Sequence, residues 1–312
     1  MCPLVIATSV AQQAALPVLA VYLAAIAAAA YAGGSSLSFL RLGHRPMQVL
    51  LSLTGGVLLG VGLLHLLPHA YLQLGRDLDT TMIWVLVGFF AMFLLERAFH
   101  GHSHHAPEDA CDHGPADHGH AHHDHGHPPP RRWAWCGAFA GLALHSLADG
   151  AALAAAVGAD VRHGAGYLAG FATFLAILLH KPFDAGMIAT LMIDSAAPPR
   201  TRVVVNALYA AVVPVGAVAF LLSMPLFGGR EDAVLGGAMA LAAGAFLCIA
   251  AADLLPEVQF HSHDRVLLTT SLAMGLALAW GITALERTSH AHAQHGHGEH
   301  GHVEPSAADQ AR

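Results

Sequence analysis

Eight stretches of this 312-residue chain are apolar over the 20 or so residues needed to cross a hydrocarbon core of roughly 30 Å. They lie at about 14–38, 48–71, 80–99, 133–157, 164–193, 201–224, 233–256 and 266–285. Backbone polar groups in lipid must be paired within the spanning structure, so spans of this length are expected to be α-helices. Composition agrees: 55% of residues are hydrophobic and 11% charged, against a soluble norm of about 25% charged. The expected fold class is an all-α polytopic membrane protein. The N-terminus lacks the Lys/Arg-bearing segment of a signal peptide, so the first span is expected to be retained.

The expected organisation is helices one to three at 1–99, a His-rich connection at 100–132, helices four to eight at 133–286 and a His-rich tail at 287–312. A net charge of −7 scattered over separate loops forms no basic stripe and points away from nucleic acid. Cys2, Cys111, Cys136 and Cys248 show no C-x-x-C spacing, which leaves neither a zinc-finger signature nor a disulfide framework. Orientation follows from arginine. With the N-terminus outside, the inner connections hold Arg41, Arg45, Arg97, Arg131, Arg132, Arg200, Arg202 and Arg265, against Arg76, Arg162, Arg230 and Arg287 outside. That asymmetry predicts both termini extracytoplasmic, in a cell (inner) membrane, with the long connection in the cytoplasm.

The connection from His100 to His127 holds eleven histidines among Asp, Glu, Gly and Pro. Its densest part, His118, His120, His122, His123, His125 and His127, reads as a low-specificity binder of zinc-like metals. Six more histidines lie between His290 and His302.

The chemistry of the spans concentrates in two pairs: His145 with Asp149, and His180 with Asp184. At i,i+4 the side chains share one helix face, about 6 Å apart along the axis. Two facing helices of this kind bring four N/O ligands towards one cation. Ionisable groups inside a span are expensive, which makes them functional candidates by default. Lys181, the chain's only lysine, stands beside the second pair.

There is also an internal echo. His65-Leu66-Leu67-Pro68-His69 near the end of span two matches Asp253-Leu254-Leu255-Pro256-Glu257 near the end of span seven, with Gly56 and Gly244 nine residues before each. These spans run in opposite directions, which suggests a three-plus-two-plus-three bundle with an inverted repeat and a site near the midplane. His65 and His69 then face the outside, as candidate ligands on the way in. Asp253 and Glu257 face the inside, extended by His261 and His263, as candidate ligands on the way out. The spacings Gly56-x-x-x-Gly60, Gly137-x-x-x-Gly141 and Gly166-x-x-x-Gly170 are expected to serve helix packing.

The eight spans, the His-rich third connection, His145-Ser146-Leu147-Ala148-Asp149-Gly150, His180-Lys181-Pro182-Phe183-Asp184 and Pro214-Val215-Gly216 together resemble the ZIP family of divalent metal transporters. The resemblance implies metal uptake into the cytoplasm by an elevator-type motion, and a homodimer. It places His145, Asp149, His180 and Asp184 on the family's primary metal site. It also implies that Ser146, Lys181 and Val213 stand where binuclear members have second-site ligands, so that the second position is lost. The substrate expected for two imidazoles and two carboxylates is Zn²⁺, with Fe²⁺, Mn²⁺, Co²⁺ or Cd²⁺ also compatible. No organic cofactor is expected.

Two other functions compete. A cation-diffusion exporter also uses His-x-x-x-Asp and a His-rich loop, but resembles six spans followed by a cytoplasmic domain. An intramembrane zinc hydrolase would use the same ligands with an activated water, yet no H-E-x-x-H motif occurs. A transporter rather than an enzyme is expected.

Overall fold

A computed structural model of the chain describes the backbone of residues 3–36, 44–100, 134–162, 168–260 and 265–295, with side chains over 16–36, 45–97, 135–162, 168–252 and 265–286. Eight helices are long and apolar enough to cross a membrane, as expected. They are α1 (Pro3–Ser36), α2 (His44–Val61, continued through Gly62–Leu66 and Leu67–Gln73), α3 (Leu78–His100), α4 (Ala134–Arg162), α5 (Phe171–Asp194), α6 (Pro199–Ser223), α7 (Glu231–Phe260) and α8 (Arg265–His295). The described residues contain no strand.

Local chemistry sets the breaks. Pro68 has no N–H to give to the carbonyl four residues back, and the preceding turn, Gly62–Leu66, widens to a π-helix closed by Leu67 N–H on Gly62 O. Between α2 and α3, Gly75 (φ 73°) and Arg76 (φ 64°) turn the chain in the left-handed region. Asp77 then caps α3, accepting from Thr80 N at 3.2 Å and Thr80 Oγ1 at 2.6 Å. Those bonds hold its carboxyl below the usual carboxylate range. The fifth span starts later than the expected 164. Gly170 (φ 70°) is the left-handed residue before Phe171 that opens α5, and a Cβ on it would fall on Val157 of α4, so it also serves the close approach of these two helices.

The inverted repeat is visible in what touches what. α2 lies along α8 and α3 along α7; α4 lies along α6 and α1 along α5. Exchanging helix 1 with 6, 2 with 7, 3 with 8 and 4 with 5 turns each of these contacts into its partner. The crossings agree residue by residue. A Cβ on Gly56 would fall on Leu272 O and one on Gly275 on Leu53 O; in the mirrored crossing Gly244 meets Val85 O and Gly88 meets Leu241 O. In each case the carbonyl lies three residues before the opposing glycine. Gly56 and Gly244, picked out by the sequence echo, are thus equivalent positions.

The helices sort into two groups of four, α1/α4/α5/α6 and α2/α3/α7/α8, meeting along a seam where α4 and α5 face α7 and α2. Small buried residues line it, among them Ala152, Ala154, Ala155 and Ala156 of α4 with Ala240 and Ala243 of α7, around Val57, Leu58 and Phe246. Large apolar side chains such as Leu86, Phe90, Val204, Leu208 and Trp280 point outwards, as a lipid-facing surface requires.

Candidate metal centre

The centre lies on α4 and α5 where the seam is deepest. On α4, one turn separates His145 from Asp149, and their Nε2 and Oδ2 atoms stand 3.2 Å apart. Across on α5, His180 Nε2 approaches the same Asp149 Oδ2 at 3.3 Å. All three side chains are buried, at 2–4% exposure. A tetrahedral ion with bonds of about 2.1 Å has ligand-to-ligand edges of roughly 3.4 Å, so these separations suit one small dication.

The tautomer of His180 follows from its surroundings. Its Nδ1 lies 2.8 Å from Ala176 O, a pure acceptor, so Nδ1 carries a proton and donates. A neutral His180 therefore turns the Nε2 lone pair towards Asp149, the arrangement of a metal-ligating imidazole whose other nitrogen is held by a carbonyl.

Asp184 departs from the expected four-ligand cluster. Its Oδ2 is 4.0 Å from His180 Nε2. It accepts instead from Lys181 Nζ at 2.8 Å and from Tyr209 Oη at 3.1 Å. Lys181, fully buried, also reaches Asp149 Oδ2 at 2.6 Å and donates to Ser146 Oγ at 3.0 Å. Ser146 Oγ in turn donates to Leu142 O at 2.7 Å and lies 3.0 Å from Tyr209 Oη. Ser146 and Lys181 thus form one polar network with both aspartates. Val213 does not join it; buried in the apolar core, its carbonyl abuts Gly150. Tyr209, one turn earlier on α6, takes that place, and sequence reasoning missed it. Its signal was the i,i+4 relation to Val213, which puts both on the face of α6 that meets α4.

A cavity of about 680 Å³ leads from the centre towards the end of the bundle that bears the α3–α4 connection. His145, His180 and Asp184 line it, with Thr54 of α2, Glu96 and Arg97 of α3 and Ala252 of α7.

His65 and His69 sit at the opposite end, His65 buried and His69 half-buried. His65 Nδ1 is 3.0 Å from Glu286 Oε2, and His69 Nε2 is 3.2 Å from Asp160 Oδ1. Asp160 and Glu286 were not anticipated. Asp160 lies eleven residues after Asp149 on α4, three turns on and along the same face, which is the signal that pointed to it. The backbone of α7 continues through Asp253 and Glu257, but their side chains lie outside the described residues, as do His261 and His263, the tract from His118 to His127, and Cys2 and Cys111. Cys136 and Cys248 are free thiols.

Comparison with known families adds one finding. The family described as ZIP Zinc transporter matches residues 16–285, from the first span to the last. The chain belongs to the ZIP family. This ZIP protein is therefore a multi-pass membrane transporter of divalent metal ions. No protein of curated function matches it.

Proposed function

We propose that this ZIP protein carries Zn²⁺ into the cytoplasm, with His145, Asp149, His180 and Asp184 binding the ion near the midplane. The single observation behind this reading is the convergence of His145 Nε2 and His180 Nε2 on Asp149 Oδ2, at tetrahedral-edge distances in a buried place. Asp184 completes the set by a rotation of its side chain away from Lys181.

Lys181 acts as a tethered counter-ion. With two ionised aspartates and one ammonium the empty centre carries about one negative charge, and the loaded centre about one positive charge. Without the ammonium the empty centre would cross the apolar seam with two uncompensated carboxylates. The flexible lysine stem lets Nζ yield Asp149 Oδ2 to an arriving ion and reclaim it afterwards.

Arginine asymmetry supports the direction, setting the cavity end in the cytoplasm and both termini outside a cell membrane. The described form is then open inwards. The His-rich connection joins α3 to α4 in the sequence, on the cavity side of the bundle, and its histidines would retain the ion on its arrival. Two chains assemble as a homodimer, as the family resemblance implies. Initial rates of ⁶⁵Zn²⁺ influx into proteoliposomes test the reading, with Fe²⁺, Mn²⁺, Co²⁺ and Cd²⁺ as competitors. Zinc influx that falls to background in His180→Ala supports it; influx at the unmodified rate refutes it.

A further inference from the structure

The outer end of the seam holds a second constellation of the same chemistry. His65 and His69 come from α2 and Glu286 from α8, in one group of four helices; Asp160 comes from α4, in the other. Asp160 and Glu286 are 1% and 4% exposed. Each is also anchored to the first turn of α5: Asp160 Oδ2 accepts from Gly170 N at 2.7 Å and Glu286 Oε1 from Ala172 N at 3.0 Å. Each thus has one oxygen fixed by a backbone N–H and the other turned to a histidine.

The histidine side repeats the logic of His180. His69 Nδ1 lies 2.7 Å from His65 O, so it must be the protonated nitrogen. In a neutral His69 the Nε2 lone pair then faces Asp160 Oδ1 at 3.2 Å, lone pair against lone pair. Among the described residues no donor satisfies Asp160 Oδ1 in hydrogen-bonding geometry. A buried carboxylate oxygen facing the nitrogen of a half-buried imidazole at that distance calls for a positive charge between them, a proton on Nε2 or a metal ion, and the convergence of further ligand atoms favours the metal. His65, His69 and Asp160 each offer a ligand atom within 4.8 Å of the others. The local backbone is shaped for this: the π-turn forced ahead of Pro68 carries His65, and such turns recur at functional sites.

We propose that His65, His69, Asp160 and Glu286 form a second divalent-cation site, bridging the two helix groups at the outer end of the seam. It is separated from the midplane centre by the eleven-residue step from Asp149 to Asp160, about 17 Å of helix. A cation here ties α2 and α8 to α4 and holds the outer end closed. Arg162 of α4 adds a tie nearby, donating to Glu231 Oε2 at 2.7 Å and pairing with Asp232 at the start of α7. The proposal uses the family's handling of divalent metal but does not depend on the midplane assignment.

The test counts Co²⁺ bound by the full-length protein with the histidines of both tracts replaced by Gln. Asp160→Asn keeps an oxygen for Gly170 N–H while removing the ligand charge, and its elution profile checks the fold. The expected result is one fewer Co²⁺ per chain in Asp160→Asn and in His69→Gln, with a matching partial loss of ligand-field absorption while the midplane contribution stays. His180→Ala removes a different equivalent. Zn²⁺ added to His180→Ala should slow amide exchange at residues 168–172, and should not do so in the His180→Ala/Asp160→Asn double variant. Folded Asp160→Asn and His69→Gln proteins that keep the full count overturn the outer site. An equivalent that survives His180→Ala but vanishes with Asp160→Asn supports it, even if the midplane assignment fails.

Discussion

Lys181 Nζ stands 2.6 Å from Asp149 Oδ2, nearer to that oxygen than either imidazole. On the proposed reading, a tethered positive charge there would also oppose a second metal. At about 4 Å, with an effective dielectric of 20, two unit charges repel by about 4 kcal/mol, and a dication doubles this before the site relaxes. Replacing Lys181 by Met should therefore strengthen zinc binding at least tenfold and slow net uptake at least tenfold. Exchange of external for internal zinc, which never passes through the empty carrier, should be kept. Parallel net-uptake and exchange assays check this, and wild-type values in both would make Lys181 merely structural.

The two aspartates should not be equivalent. Asp149 meets both imidazoles, whereas Asp184 is held by Lys181 and Tyr209. Losing a direct ligand typically costs at least the 10–100-fold seen when ligand-supporting groups are removed. Asp149→Asn should thus lower zinc affinity about a hundredfold or more, and Asp184→Asn less. Tyr209→Phe, which frees Asp184 from one of its two donors, should change affinity by less than about tenfold, a supporting hydrogen bond being worth about 1 kcal/mol. Titration calorimetry on proteins with equal thermal stability gives the order, and Asp184→Asn exceeding Asp149→Asn contradicts the geometry.

Deleting Ser103 to His127 should leave transport competent and alter only metal retention or its regulation. The tract lies between spans, and its composition cannot build part of the membrane path. Zinc influx into vesicles compares the two proteins. Complete loss with normal insertion would make the tract part of the path itself.

Glycine crossings should fail in matched pairs. A Cβ at Gly56 meets Leu272 O and one at Gly244 meets Val85 O, both backbone atoms that a rotamer change cannot move. Val at either position should destabilise the fold by about 1–3 kcal/mol, the range for overpacking. Gly281, with nothing near its would-be Cβ, should tolerate Ala. Detergent-resistance melting curves measure all three, and a neutral Gly244→Val would break the symmetry argument.

Hydropathy alone conveyed the eight helices, because a span of apolar residues in lipid has few alternatives to a helix. The i,i+4 His/Asp pairs likewise conveyed that α4 and α5 present polar faces to each other. Contacts between distant helices were less legible. Tyr209 acts through a hydroxyl that lands between Ser146 and Asp184 only after α6 crosses α4 at Gly150 and Gly216, and no local pattern encodes that landing. Asp160 and Glu286 sit near span ends, where acids usually face water, so their burial depends on α2, α4, α5 and α8 meeting there. Asp184 was expected among the metal ligands from its spacing and from the family resemblance, but neither fixes the side-chain rotamer it takes before an ion is bound. Lys181, three residues before it, captured the carboxylate.

The most direct measurement is anomalous diffraction at the zinc edge from the full-length protein with its tract histidines replaced by Gln. The account predicts one midplane peak per chain, bonded at about 2.0–2.2 Å to His145, Asp149, His180 and a rotated Asp184. In Lys181→Glu a second midplane peak should appear beside it. Two midplane peaks in the protein that retains Lys181, or none touching Asp149, would contradict the account.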